Sequence, residues 1–217
     1  MSAVGGPVGC VVSPVGGVVS PVGGVVSSVG CVVSPVGGVV SPKGPGSSRR
    51  AGSPAGADPV DVAAAVAQLG RPVRGMLGVA HRCPCGSPDV IVTAPRLEDG
   101  TPFPTTFYLT CPRAVSAIGT LEASGLMRQM TERLADDPEL ARAYRAAHED
   151  YLRRRDALGE VPELAGVSAG GMPERVKCLH VLVAHALAAG PGVNPLGDEA
   201  LAALGEWWDA GPCARQP

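Results

Sequence analysis

From Val11 a seven-residue unit repeats without interruption: Val11-Val-Ser-Pro-Val-Gly-Gly17 is followed by copies at Val18, Val25 and Val32, and a last one starts at Val39. A coiled-coil heptad is excluded. Each complete copy holds two glycines or a Gly and a Cys, and most hold a proline, and these residues break helices. A β-solenoid would need core-filling side chains at regular positions, and Pro and Gly at this density weaken strand pairing. The unit reads as elastin-like, turn-rich, low-complexity chain, so residues 1–57 are expected to be a disordered tail and linker. The part able to fold then runs over 58–209, about 150 residues and one domain. Residues 210–217 are expected to be a second disordered tail.

Only Lys43, Arg49 and Arg50 are charged before Asp58, which leaves 15 of the 18 basic and all 20 acidic residues to the rest of the chain. A net negative domain is no footprint for duplex nucleic acid, and no nucleic-acid partner is expected. Arg142, Arg145, Arg153, Arg154 and Arg155 are interrupted by Glu149 and Asp150 and read as a solvated helix face. No run of 18 apolar residues occurs and the start lacks the pattern of a secretory signal, so no membrane span and a cytoplasmic location are expected. The seven cysteines are odd in number and unevenly spaced. Reduced thiols, some of them metal ligands, fit better than a disulfide framework.

Asp58-Pro59 is an N-cap followed by proline at the first helical position, and it predicts a short helix ending at Gly70. Met76 to Ala80, Val90 to Thr93 and Thr106 to Thr110 read as strands, with Asp99-Gly100 as a turn signal between the last two. Ala114 to Leu134 carries a helical apolar stripe weakened at Gly125, and Asp137-Pro138 opens a helix with the same cap grammar. These two form an expected helical hairpin, with a Glu149 to Arg153 surface pair on the second. Pro173 is expected to start a third long helix ending at Gly190, and Asp198 to cap a last one bearing Leu201, Leu204 and Trp208. The fold class is therefore α+β: a small antiparallel sheet of about three strands, a helical hairpin and two or three further helices, preceded by a disordered low-complexity tail.

Cys83-Pro84-Cys85-Gly86 presents two thiols from a tight turn, with a glycine that lets the backbone bend around sulfur. Cys111 ends the third strand, where an antiparallel sheet returns it toward that turn. Cys178, in the first turn expected for the third helix, would have its thiolate favoured by the helix dipole. Cys83, Cys85, Cys111 and Cys178 together would suit a tetrahedral zinc, or an iron–sulfur cluster. Two other readings stay open: buried thiols with no cofactor, and a redox or nucleophilic cysteine. His81 and His180 are weaker candidates for ligands. On a helix, His180 stands about 200° round from Cys178 and His185 about two turns away, so neither pairs well with it. Cys10, Cys31 and Cys213 lie in the tails and are read as bystanders. Asp99, Glu122, His148 and Glu174 are acid–base candidates in no catalytic motif. Gly170 and Gly171, followed by Pro173 with Arg175 and Lys177, form a Gly-rich turn feeding a helix start, which could bind an anion or cap its helix.

Arg82-Cys-Pro-Cys-Gly86, Thr93-Ala-Pro-Arg-Leu97, Asp99-Gly-Thr-Pro-Phe-Pro104, Tyr108-Leu-Thr-Cys-Pro-Arg113, Ala169-Gly-Gly-Met-Pro173 and Arg175-Val-Lys-Cys-Leu-His180 together resemble the domain of unknown function 501 family, found mainly in actinobacteria. The resemblance covers Asp58 to Trp208 and leaves the repeat outside. It implies no established activity. The family's genes tend to lie near those for a septum-formation initiator and an exopolyphosphatase-like enzyme, which hints at a protein partner in the division or envelope machinery, or at phosphate metabolism. Two functions follow: a metal- or cluster-stabilised interaction module, or an enzyme acting on a phosphorylated small molecule through the cysteines or the Gly-rich turn.

Overall fold

Asp58 accepts a hydrogen bond from the Val60 amide at 2.8 Å, and Pro59 begins helix α1, Pro59–Leu69, which Gly70 closes in the left-handed conformation. Both ends follow from local cap chemistry. The computed structural model describes residues 56–209, Gly211 and Cys213, all within one compact unit. The repeat and its expected disorder lie outside the described residues.

Three strands follow, β1 (Met76–Arg82), β2 (Pro88–Thr93) and β3 (Phe107–Leu109), in the antiparallel order β1-β2-β3. Central β2 is buried on both faces, pairing Val79 with Ile91 on one side and Ile91 with Tyr108 on the other. The hairpin joining β1 to β2 is the Cys83–Gly86 turn itself. The Gly86 amide donates to the Cys83 carbonyl at 2.8 Å, and Gly86 has a φ of 87°, a conformation that favours glycine.

The stripe expected as one helix is two, α2 (Pro112–Ala123) and α3 (Leu126–Asp136), divided where Gly125 turns left-handed at φ 87°. Helix α4 (Pro138–Asp156) is capped by Asp137 at the Glu139 and Leu140 amides and packs along α3, while residues 162–164 form one 3-10 turn. Helix α5 (Leu179–Ala189) lies between β3, α2 and α6 (Pro195–Leu204), and Leu179, Leu182, Val183, Ala184 and Ala186 are buried. It is the core helix, apolar nearly all round for that reason. Among the described residues no helix is long and apolar enough to cross a membrane.

Two helix starts differ from expectation. Helix α5 begins at Leu179, six residues after Pro173, because the intervening amides are used elsewhere: Val176 donates to Thr131 Oγ1 at 3.0 Å and Lys177 to the Gly170 carbonyl at 2.8 Å. Helix α6 is capped by Asn194, whose side chain accepts from the Gly197 amide at 3.0 Å, and Asp198 instead accepts from the Gly192 amide at 2.8 Å. The expected Glu149–Arg153 pair also gives way, since Arg153 pairs with Asp150.

Gly197 lets α6 seat directly on α5. A Cβ there would stand 2.9 Å from Ala186 Cβ and closer still to the Leu182 carbonyl oxygen. Backbone cannot retreat as a flexible side chain can, so Gly197→Ala should cost about 2–3 kcal/mol in urea denaturation. Gly119→Ala, with nothing within 4 Å of its Cβ position, is the matched control and should be neutral or slightly stabilising.

Candidate metal centre

The β1–β2 turn holds Cys83 buried and Cys85 half-buried, and β3 returns the chain so that the buried Cys111 becomes the N-cap of α2. The element that completes this corner is the C-terminal segment. After the edge-to-face pair Trp207–Trp208, with centroids 4.6 Å apart, the Gly211 carbonyl accepts from Arg113 Nη1 at 2.8 Å, and Cys213 enters the core at 5% exposure. The reading of Cys213 as a bystander in a disordered tail is thereby corrected.

Its sulfur lies 3.5 Å from Cys83 Sγ, and the three sulfurs of Cys83, Cys85 and Cys213 all lie within 4.8 Å of one another. Zn–S bonds of about 2.3 Å in a tetrahedron put sulfurs about 3.8 Å apart. Cys111 also reaches Cys213: burial first, then hydrogen bonding with the Cys111 and Cys83 thiols, holds the Cys213 thiol well above its ordinary range. Burial likewise raises Cys83. Burial opposes ionisation of Cys85 too, but the Cys213 and Ser87 amides outweigh it and bring Cys85 down to about 7. Crowded thiols that resist becoming a set of bare thiolates are what a divalent cation neutralises.

Cys178 stands elsewhere. It is the N-cap of α5 in extended conformation, φ −153° and ψ 115°, not a first-turn residue. Its ligand-range neighbours are Glu122 and His180, with Sγ 3.8 Å from His180 Nδ1. The expectation that Cys178 and His180 point apart assumed both on one helix, and the late start of α5 removes that premise. Glu122 Oε1 accepts from the Leu179 amide at 2.7 Å and lies 3.1 Å from His180 Nδ1, while His180 Nε2 faces the Val115 carbonyl at 3.3 Å. His81, from β1, pairs through Nδ1 with the buried Asp89 at 2.8 Å, outside both cysteine groups.

The glycines of 170–171 serve close packing. A Cβ on Gly171 would come within 2.8 Å of the Arg175 carbonyl oxygen, and one on Gly170 within 3.1 Å of Val181. With α5 starting at Leu179, the turn feeds no helix N-terminus, and that ground for anion binding falls away. Gly170, Gly171, Arg175 and Lys177 nevertheless line one concavity of about 610 Å³, together with Cys178. Of the acid–base candidates, Asp99 caps its own turn at the Thr101 amide and pairs with Arg74, and His148 meets Ser168 Oγ at 3.0 Å.

A family model described as protein of unknown function (DUF501) matches residues 79–202. The chain belongs to the DUF501 family. The matched segment carries the β1–β2 turn, Cys111 and the Glu122–Cys178–His180 group, and Cys213 lies past its end. No curated protein and no solved structure matches this DUF501 chain. Sequence reasoning read Cys213 as a bystander and Glu122 only as an acid–base candidate, and placed neither beside a cysteine. The Trp207–Trp208 pair was the available signal for the first, since two such large side chains imply packed chain around them.

Proposed function

We propose that this DUF501 domain is a cytoplasmic interaction module stabilised by a zinc ion held by Cys83, Cys85, Cys111 and Cys213. The observation that carries the reading is the meeting of three sulfurs from the β1–β2 turn and the C-terminal segment, with the Cys111 thiol hydrogen-bonded to Cys213. Four thiolates from distant points of the chain are the donor set of a closed structural site, which contributes folding energy and leaves no position for a substrate. Here the ion would tie the C-terminal segment, through Cys213, to the first hairpin of the sheet. The same four sulfurs would accept an iron–sulfur cluster, which a coloured, iron-containing protein would reveal.

Elemental analysis of the anaerobically purified full-length protein should find zinc, and replacing Cys83 and Cys85 together by serine should lower its content by one atom per chain. Unchanged zinc content in that double variant would remove the proposal.

A further inference from the structure

Glu122, Cys178 and His180 bring an oxygen, a sulfur and a nitrogen within 4.8 Å of one another, at a point separate from the four-cysteine corner. The three come from the end of α2, the N-cap of α5 and the first turn of α5. Thiolate, imidazole and carboxylate in one cluster could be a nucleophile relay or a set of metal ligands, and the imidazole decides between them. In a relay, nucleophile and carboxylate sit on opposite ring nitrogens. Here Cys178 Sγ and Glu122 Oε1 both face Nδ1, at 3.8 and 3.1 Å, and Nε2 is turned to the Val115 carbonyl at 3.3 Å. That arrangement brings one ring nitrogen, a sulfur and a carboxylate oxygen around a common point. It also fixes the ring by an N–H to carbonyl bond on the far side, as metal-bound histidines are fixed. Glu122 is held in the same manner by the Leu179 amide at 2.7 Å.

We infer that Glu122, Cys178 and His180 form a second metal site, a three-ligand centre for a zinc-class divalent cation whose remaining coordination position takes water or a phosphate-type anion. Three mixed protein donors with one position open are the donor set of catalytic rather than structural zinc. The group is reachable: the His180 and Glu122 side chains keep 28% and 23% of their exposure. Cys178 lies on the wall of two concavities. One, of about 610 Å³, carries Arg175 and Lys177, both exposed and in no ion pair among the described residues. The other, of about 420 Å³, is lined by Phe107, Leu109, Val115 and Val181 together with His180. An anionic head beside the two cations, with an apolar body along β3, is the ligand chemistry these walls match.

Zinc titration of the full-length chain against a competing chelator tests this separately from the four-cysteine centre. The wild type should take up two equivalents, and C178S and H180A one each, with chelator-treated variants melting like chelator-treated wild type. If either variant melts lower, E122Q carries the test, since its amide oxygen can still accept from the Leu179 N–H, and its second equivalent should bind about 100-fold more weakly. Retention of both equivalents at full affinity in C178S, H180A and E122Q would overturn the site, whatever the Cys83–Cys85 variant does. With cobalt in place of zinc, inorganic phosphate should shift the visible spectrum of the wild type, and K177A should need about tenfold more phosphate. A spectrum indifferent to phosphate would overturn the open position.

Discussion

Replacing Cys213 with serine should leave the metal-free protein nearly as stable as wild type and abolish most of the stabilisation that zinc provides. A ligand that binds only the folded state adds RT ln(1 + [L]/Kd), about 4 kcal/mol at a thousandfold excess over Kd. Loss of one of four thiolates weakens the site and frees the segment that Gly211 and Cys213 anchor. In chelator, C213S should then lie within about 1 kcal/mol of wild type, the cost of exchanging one small buried side chain. In excess zinc the gap should widen to about 3–4 kcal/mol. Ending the chain after Asp209 should reproduce the zinc-dependent gap. Urea denaturation with and without chelator measures both. An equal gap in the two conditions would show that Cys213 acts by packing alone.

Asp150→Ala should be the most damaging single change away from the thiols. Asp150 is 7% exposed and His185 fully buried, and His185 Nε2 donates to Asp150 Oδ1 at 3.0 Å. Arg154 Nε reaches the same oxygen at 2.5 Å, and Arg153 pairs with Oδ2. On its other side His185 Nδ1 meets Asn194 Nδ2 at 3.3 Å, and the ring lies parallel to Phe107 with centroids 5.8 Å apart. With Asn194 donating to Nδ1, the Nε2–H must go to Asp150, which makes His185 neutral. Removing Asp150 strands that buried N–H and deprives two arginines of their shared acceptor. A cost of about 3 kcal/mol follows, nearer the low end for a broken buried pair because both arginines reach water. Asp150→Asn keeps one acceptor and should lose about half as much.

The same pair sets a pH dependence. Burial opposes ionisation of Asp150, but hydrogen bonds from His185 and Arg154 outweigh it and hold the carboxyl below its ordinary value. Its contribution is present above the unfolded value of about 3.9 and is lost as pH falls toward the lower folded one. Burial holds His185 below the usual imidazole value. Since the unfolded chain takes up that proton first, stability already declines as pH drops below about 6.5. Wild type should lose stability in both windows, and D150A should lose the lower one.

Features set by neighbouring residues were legible in the sequence. Asp58-Pro59 and Asp137-Pro138 fix their helix starts by contacts within three residues, and the β-branched run Val90-Ile91-Val92-Thr93 marks a strand. Pro173 carried the same local grammar and misled, because the amides of Val176 and Leu179 are taken by Thr131 and Glu122, more than forty residues away. That displacement moved Cys178 off its helix and into reach of His180. It turned two residues that helical geometry had set apart into two thirds of a mixed-donor group. The four-thiol expectation named Cys83, Cys85, Cys111 and Cys178; the sulfurs that meet are those of Cys83, Cys85 and Cys213, with Cys111 beside Cys213, and Cys178 lies with Glu122 and His180. Asp150, read as one charge on a solvated face, is buried by α5, and nothing within α4 signals that.

X-ray absorption at the zinc edge tests the central claim most directly. The full-length chain carrying C178S, loaded with one equivalent of zinc, isolates the four-cysteine corner. Four sulfur neighbours at about 2.3 Å are the predicted result. A first shell of nitrogen and oxygen alone, at about 2.0–2.1 Å, would contradict it.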